Sequence, residues 1–198
     1  MNRKTRLAIL LLAGVAALIP QINASAQESA YAGATITGTV YFVGGPRPGR
    51  SLPFRLIVDR VSTPDEINQL NSALQSGGQD QLMRTLERMK AGRIEIGTGV
   101  GIPANAIIVT QTGEGQTKIT VLYQRNVRFA ELRYGTRSTM YPFGYAEVYV
   151  GRGEDQGMLI PAARVRLRDG NTWEVEDFGV FPARLMGLRV RGGRNSAG

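Results

Sequence analysis

Short segments in which apolar and polar residues alternate make up most of this chain, and glycine- or proline-rich turns separate them. In residues 34–43, for example, Ile36, Val40 and Phe42 share one parity, while threonines and a tyrosine occupy the other. A period of two places successive side chains on opposite faces of a β-strand, so that one face is buried and the other exposed. Further strands are predicted in residues 52–61, 93–96, 106–112, 117–124, 144–150, 158–161, 163–168, 172–177 and 184–191.

One turn in the second half of the chain indicates how its flanking strands pair. A three-residue loop at 113–115 places Val109 opposite Ile119, so that apolar side chains meet on one face. Its last residue, Gly115, can adopt the left-handed conformation that such loops usually require. A two-residue loop would instead set apolar residues against polar ones, so the sequence predicts a hairpin with the first register.

A second hairpin is predicted around a three-residue loop at 169–171, which pairs Leu167 with Trp173 on one face. On the other face the same register pairs Arg164 with Glu176 and Arg166 with Glu174. Both faces are chemically matched, which favours this register. The ion pairs would lie on the surface, where each contributes at most about 1 kcal/mol.

One region has the residue spacing of a helix. Thr63 can cap its first turn, Pro64 suits the first helical position, and Glu66 completes a capping box. Apolar residues then recur every three or four positions up to the glycine pair at 77–78, and a second apolar stripe follows. We therefore expect two short helices that form a helical hairpin at about 64–91.

The order of these elements is strands, a helical pair and then many strands, which argues against alternating βαβ units. It predicts a single domain at residues 34–191 in the α+β class, mainly β. The expected architecture is an antiparallel sandwich or open barrel with one short helical hairpin. Residues 27–33 should form a flexible arm, and residues 192–198 a flexible tail.

The first 26 residues have the three parts of a cleavable secretory signal peptide. A cationic segment at residues 3–6 precedes an apolar or small-residue run of 13 residues, and Ala24-Ser25-Ala26 supplies the small-residue pattern that signal peptidase cleaves. The run is shorter than the roughly 20 residues of a membrane-spanning helix. We expect a mature chain that begins near Gln27, has no transmembrane segment, and is exported to a periplasm or the cell exterior.

Cysteine and histidine are both absent from the sequence. Without cysteine there are no disulfides, thiol nucleophiles or thiolate zinc sites. Without histidine there is no Ser-His-Asp triad, and the commonest general base is missing. Three of the 24 basic residues lie in the leader, which leaves 21 basic and 16 acidic residues and a mature net charge of +5. This charge fits attraction to an anionic envelope polymer and fits an ordinary soluble surface equally well.

Residues 123–145 interleave arginines with aromatic residues, a combination that holds glycans or single-stranded nucleic acid by charge and stacking. The candidate ligand-binding residues are Tyr123, Arg125, Arg128, Phe129, Arg133, Tyr134, Arg137 and Tyr141. Export argues against nucleic acid as a partner. The alternative, which we favour, is that the aromatic side chains fill the core while the arginines lie over them with their charged groups in water.

Two glycine-rich segments are weighed for other chemistry. Residues 97–101 lack the spacing of either phosphate-binding fingerprint, and Pro103 follows where a helix would have to start, so a strand connection is predicted. Glu154 and Asp155 place two carboxylates in the loop at 151–157, where calcium would be the ion to consider outside a cell. The regular spacing of calcium ligands is absent, so we expect a polar hairpin loop and neither a metal nor a cofactor.

Part of the chain resembles a family of uncharacterised exported bacterial proteins. The similar segments are residues 62–92, STPDEINQLNSALQSGGQDQLMRTLERMKAG, and residues 172–190, TWEVEDFGVFPARLMGLRV. The resemblance extends over about residues 52–190 and is lost around 94–106. It implies a shared fold and export, and it assigns no activity and no residue role.

These observations predict an exported, non-enzymatic protein that binds a ligand or an envelope partner, either an anionic polymer or a protein. The alternative is a carboxylate-based hydrolase acting on an envelope polymer, which would need two carboxylates converging in a concave pocket. An outer-membrane barrel is disfavoured, because the helical pair and the charged strand faces do not suit a lipid environment.

Overall fold

The computed structural model of the chain describes residues 30–43, 48–112, 115–125, 137–151, 155–168, 172–178 and 182–193. The predicted signal peptide and its cleavage site lie outside these ranges. Residues 30–33, predicted to belong to a flexible arm, contact the domain, because the Gly33 N–H donates to the Val58 carbonyl (2.7 Å) and Tyr31 packs against the core. At the other end, strand pairing reaches Gly192.

Ten antiparallel strands and one helix build the part of the chain that the structure describes. Their bounds are β1 Ala34–Tyr41, β2 Ser51–Val58, α1 Pro64–Leu86, β3 Gly92–Ile96, β4 Ile102–Ala104, β5 Ala106–Gln111, β6 Gln116–Gln124, β7 Phe143–Gly151, β8 Gln156–Arg168, β9 Thr172–Asp177 and β10 Ala183–Gly192. The strands pair in the order β4-β3-β2-β1-β10-β8-β7-β6-β5, with β9 added to β8. The result is a nearly closed barrel, which confirms the predicted mainly-β antiparallel fold in its open-barrel form.

Two strand predictions differ from the structure. Residues 158–161 and 163–168 form one strand, β8, with Pro161 where the pairing with β7 shifts register. At such an irregularity the missing N–H of proline removes no ladder hydrogen bond. Strand β4 was not predicted, because it has three residues with Pro103 in the middle. It accommodates the proline because it is an edge strand that pairs with β3 alone.

The structure confirms both predicted hairpin registers. Val109 lies opposite Ile119, and Gly115 has the expected left-handed backbone, with φ at +76°. In the second hairpin, Leu167 lies opposite Trp173. Turn length and side-chain matching were therefore sufficient to fix these local pairings.

The ion pairs on the second hairpin form along diagonals. The register sets Arg164 opposite Glu176 and Arg166 opposite Glu174, as predicted. Arg166, however, bonds to Glu176 at 2.8 Å, and Arg168 bonds to Glu174 at 3.4 Å. Diagonal neighbours on a sheet lie within reach of long side chains, so an arginine on this hairpin can pair with the glutamate directly opposite or with the diagonal one.

The helix α1 begins as predicted. The Thr63 Oγ1 accepts a hydrogen bond from the Glu66 N–H, and the Glu66 carboxylate accepts one from the Thr63 N–H. Arg60 donates two hydrogen bonds of 2.7 Å to the same carboxylate, which lowers the pKa of Glu66. The backbone leaves helical geometry at the glycine pair, where Gly78 has φ +60°, so the helix has the two predicted segments. It ends at Leu86, earlier than predicted, because the next residues turn back into β3.

Apolar side chains form two clusters, one on each side of the sheet. The interior cluster fills the barrel, and its large members include Ile36, Phe54, Leu56, Ile94, Ile107, Ile119 and Leu159. The second cluster lies between α1 and the outer face of β6, β7 and β8, and it includes Leu70, Leu82, Leu86, Leu122, Phe143 and Ile160. Each such side chain contributes about 1.5–3 kcal/mol when fully buried. The helix therefore covers one side of the barrel.

Two side-chain amides attach α1 to the sheet. The Gln79 amide donates to the Val165 carbonyl (2.6 Å) and accepts from the Val165 N–H (3.1 Å), so it bonds to β8 as a neighbouring strand would. The Trp173 indole N–H donates to Asn71 Oδ1 at 2.7 Å. These contacts fix the helix over β8 and β9.

The barrel closes where Ser62, just after β2, meets β5. The Ser62 N–H donates to the Ile107 carbonyl (2.8 Å), and the Ser62 hydroxyl accepts from the Ile107 N–H (3.1 Å). One serine thus satisfies both backbone groups of a strand residue. Ser62 is 2% exposed, so these bonds are shielded from competing water.

Asn105, between β4 and β5, links the place where the barrel closes, which we call the seam, to the end of the helix. Its buried side-chain amide donates to the carbonyls of Leu86 and Met89, both at 3.1 Å, and its oxygen accepts from the Gln124 N–H at 3.0 Å. This one side chain therefore bonds to three backbone groups, of which the Leu86 carbonyl also accepts from the Met89 N–H at 2.9 Å.

We predict that Asn105→Ala lowers the free energy of unfolding by roughly 2–3 kcal/mol, because it removes three buried hydrogen bonds, although the Leu86 carbonyl keeps the bond from the Met89 N–H. Urea unfolding followed by the fluorescence of Trp173 measures the change. The matched control is Thr110→Ala at an exposed position of β5, which should change stability by less than about 0.5 kcal/mol. An unchanged urea midpoint for Asn105→Ala would contradict the role of the seam.

Candidate functional site

The helix α1 does not cover the outer face of β3, β2, β1 and β10. Inward-pointing residues of these strands, such as Leu56 and Leu185, are buried, and the outward residues between them are largely exposed. Five arginines occupy outward positions: Arg55, Arg93, Arg184, Arg189 and Arg191. We call the surface formed by these five arginines and the threonines of β1 the basic face.

A β-bulge at Gly187 puts the arginines of β10 on one side. The pairing of β10 with β1 shifts register between Thr37 and Thr39, which leaves one extra residue in β10. Gly187 takes a left-handed conformation there, with φ +60°, which glycine adopts without steric cost. Strict alternation would point Arg184 and Arg189 to opposite faces, because they are five positions apart in the sequence, an odd number. The bulge corrects the parity, so both are exposed.

Strand register arranges the arginines in a grid. Arg189 lies opposite Thr37, and Thr37 lies opposite Arg55, so two strand spacings of about 4.8 Å separate the two arginines. In the next row, Arg191 and Arg93 are three strand spacings apart, across β1 and β2. Successive rows lie about 7 Å apart along the strands. The grid presents separate cationic groups rather than one pocket.

Within the described residues, only one of the five arginines of the basic face is held in an ion pair, although Asp155 and Asp59 line the same pockets as Arg184 and Arg93. Arg55 pairs with Glu95 at 3.2 Å. The other four arginines form no ion pair within the described ranges. On the β8–β9 hairpin, by contrast, Arg166 and Arg168 each bond to a glutamate. The basic face therefore attracts anions, most strongly at low ionic strength.

The arginine–aromatic site predicted from the sequence is described only in part. Outside the described residues lie Arg128, Phe129, Arg133, Tyr134 and the side chain of Arg137. Tyr123 points into the barrel, where its ring lies against Gly144 on β7, and it is 3% exposed. Burial raises the pKa of the Tyr123 phenol. Tyr123 is therefore a core residue, as the alternative interpretation expected.

Tyr141 and Arg125 do come together, near the start of β7. The Tyr141 hydroxyl donates to Glu176 Oε1 at 2.6 Å, and its ring packs against Phe178 with 5.1 Å between centroids. The Arg125 Nε donates to the Tyr141 carbonyl at 2.7 Å. Tyr141 is buried, so these contacts join β9 to the start of β7 and present no exposed aromatic platform.

The loop weighed as a calcium site is also described in part, because Glu154 lies outside the described residues. Asp155 Oδ1 accepts a hydrogen bond from the Gly151 N–H at 3.1 Å, which closes the loop between β7 and β8. In the described part of the chain, no three metal-ligating side chains converge. Residues 97–101 connect β3 to β4, as predicted for a strand connection.

Glu147, on the outer face of β7, is a largely buried carboxylate with several donors around it. It accepts hydrogen bonds from the hydroxyls of Tyr145 (2.5 Å) and Tyr149 (2.8 Å) and pairs with Lys118 at 3.4 Å. Burial, reinforced by the bonds to Glu147, raises the pKa of both phenols, that of Tyr149 to about 12. Both tyrosines are therefore protonated donors at neutral pH, and the cluster links β6 to β7.

Four surface pockets are lined by described residues, and each contains one carboxylate. These carboxylates are Asp155, Glu95, Asp80 and Asp59. A two-carboxylate glycosidase needs its carboxyl groups roughly 5–10 Å apart across one site. None of these four pockets supplies such a pair from the described residues.

The basic face was not predicted from the sequence. Its arginines come from three strands, β2, β3 and β10, and they become neighbours because β1 pairs with both β2 and β10. Gly187 does interrupt the alternation of residues 184–191, but a glycine within a strand identifies a bulge only when the partner strand is known.

Comparison with models of known protein families, with curated proteins and with solved structures finds no match for this chain. The resemblance to exported bacterial proteins therefore stays a prediction. Across the described ranges, no helix is long and apolar enough to span a membrane.

We predict that Gly187→Ala lowers the free energy of unfolding by about 1–2 kcal/mol, because alanine is strained at a positive φ. An added Cβ would meet no atom within 4 Å, so the cost is conformational. Gly187→Asn should cost less, because asparagine tolerates this conformation.

Urea unfolding of these two variants is compared with that of Gly99→Ala, a control at an equally open glycine without a positive φ. The control should stay within about 0.5 kcal/mol of wild type. Equal stability for Gly187→Ala and wild type would contradict the bulge.

Proposed function

We propose that the mature chain is an exported, non-enzymatic binding protein whose basic face attaches it to an anionic polymer of the cell envelope. The observation that carries this proposal is the grouping of five exposed arginines on one sheet face, of which only Arg55 forms an ion pair within the described residues. Guanidinium groups bind carboxylate, phosphate and sulfate through paired hydrogen bonds.

The spacing of the arginines favours a polymer over a small anion. A single exposed ion pair contributes at most about 1 kcal/mol. Several pairs along one linear polymer act together, because each contact that forms holds the next anionic group nearby. The arginines lie about 7 Å apart along β10 and about 10–14 Å apart across the strands, so together they can contact successive groups of a linear chain, which one small ion cannot do.

Two observations support binding over catalysis. The chain has no histidine or cysteine, which removes the commonest acid–base and nucleophilic groups. Four pockets lined by described residues each offer one carboxylate, whereas the hydrolase alternative needs two.

Export is tested by the N-terminus of the secreted protein. We predict that the chain recovered from the periplasm or medium of an exporting bacterium begins at Gln27, because signal peptidase recognises the small residues Ala24 and Ala26 and cleaves after Ala26. Intact-mass measurement reads this directly. Ala26→Leu should leave the precursor uncut. Recovery of wild-type protein with its leader attached would contradict export by this route.

We predict that the double variant Arg189→Gln, Arg191→Gln binds a linear polyanion roughly tenfold more weakly than wild type. The slope of log K against the logarithm of salt concentration should also become less negative by about 1–2, because fewer counterions are released on binding. Fluorescence anisotropy with labelled poly-L-glutamate at several salt concentrations measures both quantities.

The matched control is Arg166→Gln, Arg168→Gln, which removes the same charge from β8. This control should keep most of the affinity, since those arginines lie outside the basic face. Equal weakening of the two double variants would show that net charge alone drives binding, and the proposal would be wrong.

A further inference from the structure

A groove lies on the basic face, between the β3–β4 loop (residues 97–101) and strands β1 and β2. It encloses about 460 Å³, and its lining includes Thr37, Pro53, Arg55, Glu95, Thr98 and Gly99. This volume is within the range of about 300–1,000 Å³ that is usual for small-molecule sites. The loop passes over the outer side of β3, where an added Cβ on Gly101 would contact the Glu95 side chain. The loop thus forms one wall of the groove.

The polar groups of the groove match a hydroxyl group better than they match a bare anion. A hydroxyl both donates and accepts, so it can donate to the Glu95 carboxylate while accepting from the Arg55 guanidinium. The two side chains are 3.2 Å apart and are both accessible, at 20% and 56% exposure. Thr37 and Thr98 add two hydroxyls of their own on the groove walls.

We propose that this groove binds a hydroxyl-bearing sugar unit, so that the polymer held by the basic face is an acidic polysaccharide. The inference rests on the proposed function and narrows its ligand class. In this arrangement the unpaired arginines contact acidic groups along the polymer, while the Arg55–Glu95 pair contacts the hydroxyls of one unit.

Two other polyanions fit the face less well. A polyphosphate has no hydroxyl group that could donate to Glu95. A single-stranded nucleic acid needs an aromatic stacking platform, and the only aromatic residue of the groove lining, Phe54, is buried in the barrel. A lipid surface is bound through an amphipathic element with an apolar side. The basic face does carry exposed apolar side chains, Tyr41, Val100 and Met186, but the row that crosses the groove, Arg189, Thr37, Arg55 and Glu95, is polar and charged.

The test compares two linear polycarboxylates at equal carboxylate concentration. Polygalacturonate carries carboxylates and ring hydroxyls, whereas poly-L-glutamate carries carboxylates without hydroxyls. Competition against labelled poly-L-glutamate should show that the full mature chain prefers polygalacturonate by roughly fivefold or more, which is the effect of one or two added hydrogen bonds. Equal affinity for both polymers would overturn the sugar assignment.

Variants separate the groove from the rest of the face. Thr37→Val with Thr98→Val removes two hydroxyls while keeping side-chain shape, and it should weaken polygalacturonate binding but not poly-L-glutamate binding. Thr35→Val is the control on the same face outside the groove, and it should change neither. Glu95→Gln should tighten poly-L-glutamate binding, because a repulsive charge is gone, and so reduce the preference. A Thr35→Val effect equal to that of the groove variant would contradict the assignment.

The outcomes distinguish the two proposals. If neither polymer binds, the proposed function fails and this inference fails with it. If both bind alike and the groove variants change nothing, binding to polyanions stands and the sugar assignment fails. Tighter binding to anionic phospholipid vesicles than to polygalacturonate would identify a membrane surface as the ligand and would also overturn the assignment.

Discussion

Within the described chain, one helix covers the outside of a ten-stranded barrel, and the rest of the structure follows from where that helix packs. Gln79 and Asn71 bond it to β8 and β9, so it shields the apolar outer residues of β6, β7 and β8. The opposite side of the barrel faces water. A sheet face in that position must carry polar side chains outward, and threonines and arginines meet this requirement while keeping strand geometry. The basic face is thus the uncovered half of the fold.

Two local devices make this arrangement possible. Asn105 satisfies three backbone groups at the point where the barrel closes, so the seam needs no continuous ladder of strand hydrogen bonds. Gly187 adds one residue to β10, and this residue turns two arginines outward that would otherwise face the core. Burying those charges unpaired would cost several kcal/mol each. The bulge therefore avoids this loss of stability and places the positive charge of β10 on the outer face.

The sequence predicted those features of the fold that depend on residues close together in the chain, namely hairpin registers and a helix start. The register of Leu167 with Trp173 follows from a short turn and matched side chains, and the helix start at Thr63 follows from its capping box. The pairing of β1 with β10 could not be predicted, because these strands are distant in sequence and many partners satisfy the same alternation. Tyr123 illustrates the same limit. Its ring fits inside the barrel because Gly144, opposite it on the neighbouring strand, has no side chain, and this pairing could not be predicted from the sequence.

The most direct test of the account is to map a polyanion onto the folded protein by NMR. In ¹H–¹⁵N spectra of isotopically labelled mature chain, titration with polygalacturonate should shift the backbone amides of β10, β1, β2 and the β3–β4 loop, together with the side-chain Nε–H signals of Arg189 and Arg191. The amides of α1 and β9 should stay in place. Shifts confined to α1 and β9, with the four-stranded face unperturbed, would contradict the claim that the uncovered side of the barrel is the binding surface.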